Sequence, residues 1–260
     1  MHKYARCALA GVILAGGASQ ALAADIIDPV IVDPAPAPVS HGGWYLRGYL
    51  GMTNQDFDEI TSDLYLDPAI EAYGWHDSGS FASSPLAGAG IGYQFNDFLR
   101  GDVTVEYRGK ADFYALDWKT VDGETTTNDF TAKKSEWLVL ANAYADLGDF
   151  GGIKPYVGAG IGASRNTISN LRDVNVLSSG AARAESDPSW EFAWALHAGL
   201  GFQVTDNVAL DLGYSYVDLG DGRTGPMLND DPAYDIPNDG FVFNDLTSHD
   251  VKFGVRYLFN

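Results

Sequence analysis

Apolar and polar positions alternate along this chain with period two. In the last dozen residues, Val251, Phe253, Val255, Tyr257 and Phe259 share one parity, and Lys252, Gly254, Arg256 and Leu258 share the other. Successive strand residues point to opposite faces, so this spacing predicts a β-strand with one aromatic face and one polar or small face. From Gly43 onward eight segments carry the pattern: 44–53, 86–95, 99–108, 136–146, 156–164, 190–204, 208–217 and 248–259. In the first, Trp44, Leu46, Leu50 and Met52 oppose Tyr45, Arg47, Tyr49, Gly51 and Thr53. In the second and fifth the smaller face is a glycine ladder, Gly88-Gly90-Gly92 and Gly158-Gly160-Gly162.

The two faces differ in a way that selects their solvent. One is bulky and uncharged. The other carries isolated charges of both signs, Arg47, Arg100, Asp102, Glu106, Glu191, Asp211, Lys252 and Arg256, together with His197. An eight-stranded barrel has a narrow bore that its own side chains must fill. Glycines and paired charges suit that bore, and the bulky face suits lipid. Connections also alternate: the turns at 96–98, 147–155 and 205–207 are short, whereas 55–85, 109–135, 165–189 and 218–247 are long. Short turns on one side and long loops on the other are the outer-membrane pattern. Lipid cannot satisfy a free sheet edge, so the sheet must close. With both ends periplasmic, Trp44, Tyr93, Phe95, Phe202, Tyr257 and Phe259 gather at the inner rim. Tyr107, Trp137, Trp190, Phe192, Tyr214 and Tyr216 gather at the outer one. These form two aromatic girdles. The fold class expected is all-β, an eight-stranded antiparallel up-and-down transmembrane barrel.

Composition changes the picture at the N-terminus. Lys3 and Arg6, the small-apolar run Cys7–Gly17 and Ala21-Leu22-Ala23 make residues 1–23 a secretory signal peptide, with cleavage after Ala23. Residues 24–42 hold four prolines and read as an extended periplasmic tether, leaving 43–260 as the barrel. The chain has 16 Lys and Arg against 35 Asp and Glu, a formal charge of −19. That balance argues against nucleic acid as a partner, because phosphates need cations.

With those segments in place, the residues resemble a known family. Gly43-Trp44-Tyr45-Leu46-Arg47-Gly48-Tyr49-Leu50-Gly51 is similar to the opening strand of opacity-like, OmpA-type outer-membrane proteins of proteobacteria. Pro155–Gly162 resembles their fifth strand, 206–214 their sixth-to-seventh hairpin, and the closing strand theirs, although Asn260 here follows the terminal aromatic. The Pro-rich leader is similar to that of alphaproteobacterial surface antigens. The resemblance implies location in the outer membrane, contact with lipid and lipopolysaccharide, and recognition of Phe253, Val255, Tyr257 and Phe259 by the barrel-assembly machinery. It implies no single activity, since members include adhesins, structural proteins and small-solute barrels.

Candidate chemistry is sparse. The first and last long connections are acidic, with Asp56, Asp58, Glu59, Asp63, Asp67, Glu71 and Asp77 in one, and Asp218, Asp221, Asp230, Asp231, Asp235, Asp239 and Asp245 in the other. Neither shows a D-x-[DN]-x-[DN]-G cation loop, so the expectation is a solvated, repulsive surface with no cofactor, and binding of a divalent cation or a basic partner is the alternative. Ser248 and His249 are adjacent on a strand, point to opposite faces and cannot form a nucleophile–base pair. His197 is expected as a hydrogen-bonded interior residue, with a pH-responsive role as the alternative. The function expected is a non-enzymatic outer-membrane surface protein acting in envelope structure and surface contact through its acidic loops. A narrow porin-like channel and an adhesin with a host or cell-surface partner are the alternatives.

Overall fold

A computed structural model describes residues 42–178, 180–230 and 239–259. The signal peptide and tether expected at 1–42 lie almost wholly outside the described residues. Eight long strands form the wall: β1 (Gly43–Asp56), β4 (Ser84–Gln94), β5 (Leu99–Val121), β6 (Glu124–Asp146), β7 (Ile153–Asn175), β9 (Ser189–Gln203), β10 (Val208–Asn229) and β11 (Val242–Leu258). Three shorter strands, β2 (Glu59–Thr61), β3 (Ile70–Phe81) and β8 (Ala181–Ser186), pair with them, and a 3-10 turn covers Asp63–Leu66. Each wall strand pairs antiparallel with its neighbour. β1 pairs with both β4 and β11, so the sheet closes.

The parities read from the sequence hold within the wall. Leu50 (68% exposed), Ile91, Val103, Ile161, Val251 and Phe253 face outward, whereas Tyr45, Arg100, Glu106, Asp211 and Arg256 are buried inside. Both girdles form. Trp44 and Tyr93 pack edge to face at 5.4 Å near one rim, and Tyr107 and Trp137 sit 4.9 Å apart near the other. The glycine ladder of β4 has a steric cause. A Cβ at Gly92 would lie 2.3 Å from Tyr45 Cζ, and one at Gly88 would lie 2.4 Å from Tyr49 Cζ. The two rings of β1 occupy the space that side chains on β4 would need.

The long connections depart from expectation. Most of 109–135, 165–175, 218–229 and 242–247 is strand, continuing the wall beyond the outer girdle. Residues 109–135 are a single hairpin closed at Asp122-Gly123, both in the left-handed region (φ 52° and 73°) that a tight two-residue turn requires. Bulges sit just beyond the girdle. The register slips between Arg108 and Ala111 on β5, opposite Asn170 on β7, and around Leu219 and Asp245 on β10 and β11. Asn170 and Asp245 take positive φ there (54° and 51°). A one-residue bulge reverses which parity faces inward. On β5 the even residues up to Arg108 are interior, and the odd residues Ala111, Phe113 and Ala115 are interior above it. The interior chemistry changes at the same height, from charged to apolar. Phe57, Phe81, Phe113 and Phe243 contact one another with ring centroids 5.1–5.9 Å apart, and Phe130 and Phe241 continue the cluster. This upper tier is built like a soluble β-barrel, apolar within and polar without.

Candidate functional site: the filled bore and the acidic outer groove

Within the membrane-height wall the charges form two layers. In the lower, Arg47 Nη1 donates to Asp102 Oδ2 (3.0 Å) and to the Tyr144 hydroxyl (2.9 Å). Arg100 Nε lies 3.1 Å from Asp146 Oδ1, and Arg256 Nη2 lies 3.4 Å from Asp211 Oδ1. The Arg100 guanidinium also covers the Tyr144 and Tyr156 rings, at 4.3 and 4.6 Å. In the upper layer Arg108, fully buried, reaches Glu106 (2.6 Å), Glu136 (3.0 Å), Asp250 (2.7 Å) and the Ser248 hydroxyl (2.6 Å). Lys252 joins Glu106 (2.7 Å) and Asp250 (3.3 Å), and Lys134 pairs with Glu136 and donates to Gln55 Oε1 (2.7 Å). Each layer balances three cations against three carboxylates. Buried charges persist only when paired and hydrogen-bonded, and these contacts reach over intervening strands to supply the pairing. Arg108 on β5 meets Asp250 on β11 across β4 and β1.

The space left is small. A cavity of about 20 Å³ lies among Arg47, Tyr144, His197 and Lys252. That is room for roughly one water. Above it stand the Arg108–Lys134 layer and then the phenylalanine cluster.

Of the charges read from the sequence as interior, Arg47, Arg100, Asp102, Glu106, Asp211, Lys252 and Arg256 meet in these two layers. His197 lies between them, with Nδ1 2.8 Å from Ser215 Oγ and Nε2 3.0 Å from Asn142 Oδ1. Glu191 is elsewhere. It pairs with Arg223 (3.5 Å), partly exposed at the outer end. Sequence reading missed Arg108, Lys134, Glu136, Asp146 and Asp250 as members, although Arg108, Asp146 and Asp250 share the inward parity of the residues it chose. Ser248 points inward to Arg108, while His249 points outward to the Tyr214 hydroxyl, 2.5 Å away.

Because the bore sums to zero, the net charge of the chain lies outside it. Part of that charge collects at the outer end. The Tyr65 hydroxyl donates to Asp117 Oδ2 (2.8 Å), whose other oxygen accepts the Asn128 N–H (3.1 Å). Burial raises the Asp117 pKa despite those donors. Burial likewise lifts Asp173 to about 7, with Lys119 opposing the shift and neighbouring Asp117 adding to it. Beside this cluster a groove of about 540 Å³ opens between the first connection and the start of β11. Asp58, Glu59, Asp63 and Asp239 line it, together with Tyr65, Tyr73 and Trp75.

Comparison with known proteins agrees with this architecture. The family described as "Outer membrane protein beta-barrel domain" matches residues 10–259. An uncharacterized protein of Brucella melitensis is 31% identical, with 97% of this chain and 98% of that protein covered. The outer membrane protein PagN of Salmonella typhimurium is 23% identical over 90% of this chain and 97% of its own length. Among solved structures, Neisserial surface protein A aligns with a TM-score of 0.44 at 19% identity, covering 84% of this chain and 99% of that one.

Proposed function

The chain belongs to the outer membrane protein β-barrel family, and from that premise we propose that it is a non-enzymatic surface protein whose bore is closed and whose work is done by its outer tier. The observation that carries this reading is the interior itself. Two balanced ion-pair layers and an aromatic cluster fill the barrel from girdle to outer rim, so the wall's extension serves as a raised platform. In this reading residues 1–23 direct export, and the outward aromatics Phe253, Val255, Tyr257 and Phe259 present the assembly signal. The outer leaflet is the lipid partner. Arg165 lies in register between Trp137 and Trp190 on the outward face at the outer girdle. A cation facing lipid is tolerated there because it meets headgroup phosphates.

Purified protein in a planar bilayer tests the closed bore. Silence at moderate voltage is expected, and discrete single-channel openings would favour the porin-like alternative. The adhesin alternative shares the outer tier. Trimming 218–247 would be a poor test of it, because Leu219, Met227, Phe241, Phe243 and Leu246 of that stretch belong to the packed core. Neutralising the exposed carboxylates of the tier while keeping its core is the better perturbation. Loss of cell or matrix attachment by expressing bacteria is the result that supports a contact role.

A further inference from the structure

We propose that the groove beside β3 is a binding site for the guanidinium or ammonium side chains of a basic peptide segment. This deepens the surface-contact reading above and rests on it. The groove's floor is aromatic. Tyr65 and Tyr73 stack with centroids 4.4 Å apart and planes 9° from parallel, and Trp75 meets Tyr65 edge-on at 6.2 Å. Tyr65 is buried and held by Asp117, so the stack is anchored from below. Tyr73 remains half exposed, and a ring face turned to solvent attracts a cation.

The walls match that chemistry. Asp58, Glu59, Asp63 and Asp239 line the groove, no lysine or arginine does, and none of the four has an ion-pair partner among the described residues. The contrast with the bore is informative, because every carboxylate in its two layers is paired. A volume of about 540 Å³ admits a long side chain with its aliphatic stem. Arg or Lys fits on each count: the stem lies along the rings and the charged head reaches the carboxylates. Inorganic divalent cations fit less well, since four of the residues lining the groove are aromatic and, among the described residues, no three carboxylates converge as a metal site would require.

The test uses the full barrel in lipid nanodiscs and a labelled oligoarginine peptide, read by fluorescence anisotropy, with an oligocitrulline peptide as its uncharged counterpart. Asp58→Asn/Glu59→Gln/Asp63→Asn should weaken oligoarginine binding by tenfold or more. Tyr73→Leu, which keeps an apolar side chain but removes the ring, should weaken it roughly fivefold. Asp122→Asn/Glu124→Gln/Glu185→Gln removes the same number of charges from exposed sites outside the groove, and should change it less than twofold. Equal losses in the two triple variants would overturn the site in favour of diffuse attraction. Citrulline binding as tight as arginine binding would overturn the cation specificity, and absence of oligoarginine binding would overturn the proposal. If the groove variants bind normally while neutralising the wider tier still abolishes cell attachment, the groove fails and the surface-contact reading stands.

Discussion

Replacing Arg108 with leucine should be the most damaging single change in the bore. Its guanidinium is fully buried and contacts Glu106, Glu136 and Asp250 within 3.0 Å. Removing it leaves three carboxylates sharing Lys252 and Lys134, a net charge of −1 sealed between lipid-facing walls. Breaking a buried pair by deleting one partner destabilises by about 3–5 kcal/mol, chiefly through the uncompensated charge. With a urea slope of about 1–3 kcal/mol per molar, the unfolding midpoint in phospholipid vesicles should fall by roughly 1–5 M. Tryptophan fluorescence reports it, because Trp137 sits on the neighbouring strand. The companion variant Arg108→Leu/Glu136→Gln restores neutrality to the layer and should recover at least half of the loss. A single variant within about 1 kcal/mol of the wild type would refute the reasoning, as would a companion no better than the single.

Three other outcomes follow from the geometry. Gly92→Val should displace the Tyr45 ring and slow or prevent folding, visible as loss of the heat-modifiable band shift on gels, whereas Gly48→Ala, on the outer wall with open space beside it, should fold normally. Phe113→Ala should destabilise the upper tier by about 3–5 kcal/mol and raise amide exchange there while leaving membrane-height amides protected. Asp173 has a folded-state pKa of about 7, above its unfolded value. The folded tier therefore binds more protons than the unfolded one between about pH 4 and 7, and its stability should fall as pH rises through that window. Exchange measured at pH 5 and pH 8 should show the tier tighter in acid, and Asp173→Asn should flatten the difference.

The eight wall strands were legible because lipid and bore impose opposite chemistries on alternate residues. The pattern ended where the bulges begin. Periodicity read from the sequence stops at Arg108, Ser164 and Val217 and resumes at Ser248, within a few residues of the register slips on β5, β7, β10 and β11. Beyond them the inward parity reverses on β5 and β7 and the inward face turns apolar, so a rule tuned to polar-in, apolar-out reads the strands as loops. Asp122-Gly123, a strong hairpin signal flanked by alternating residues, was the clue that could have extended β5 and β6. In the bore, parity located most of the charges but not their partners. The Arg108–Asp250 contact joins residues 142 apart in sequence, and only closure of the sheet brings them together. The groove's rings and three of its four carboxylates lie within 57–78, but their spacing matches no binding motif, and only the fold brings Asp239 to them.

The β5–β6 ribbon, continuous but for the bulge after Arg108, has a mechanical consequence. Each strand runs 23 residues from the inner rim to the tip at Asp122-Gly123, a contour of roughly 75 Å at strand rise. Tension applied at that tip would travel down both strands into the wall, loading their ladders with β4 and β7 in shear at once rather than peeling bonds singly. Such a post would stand stiff in flow and hand the pull directly to the envelope.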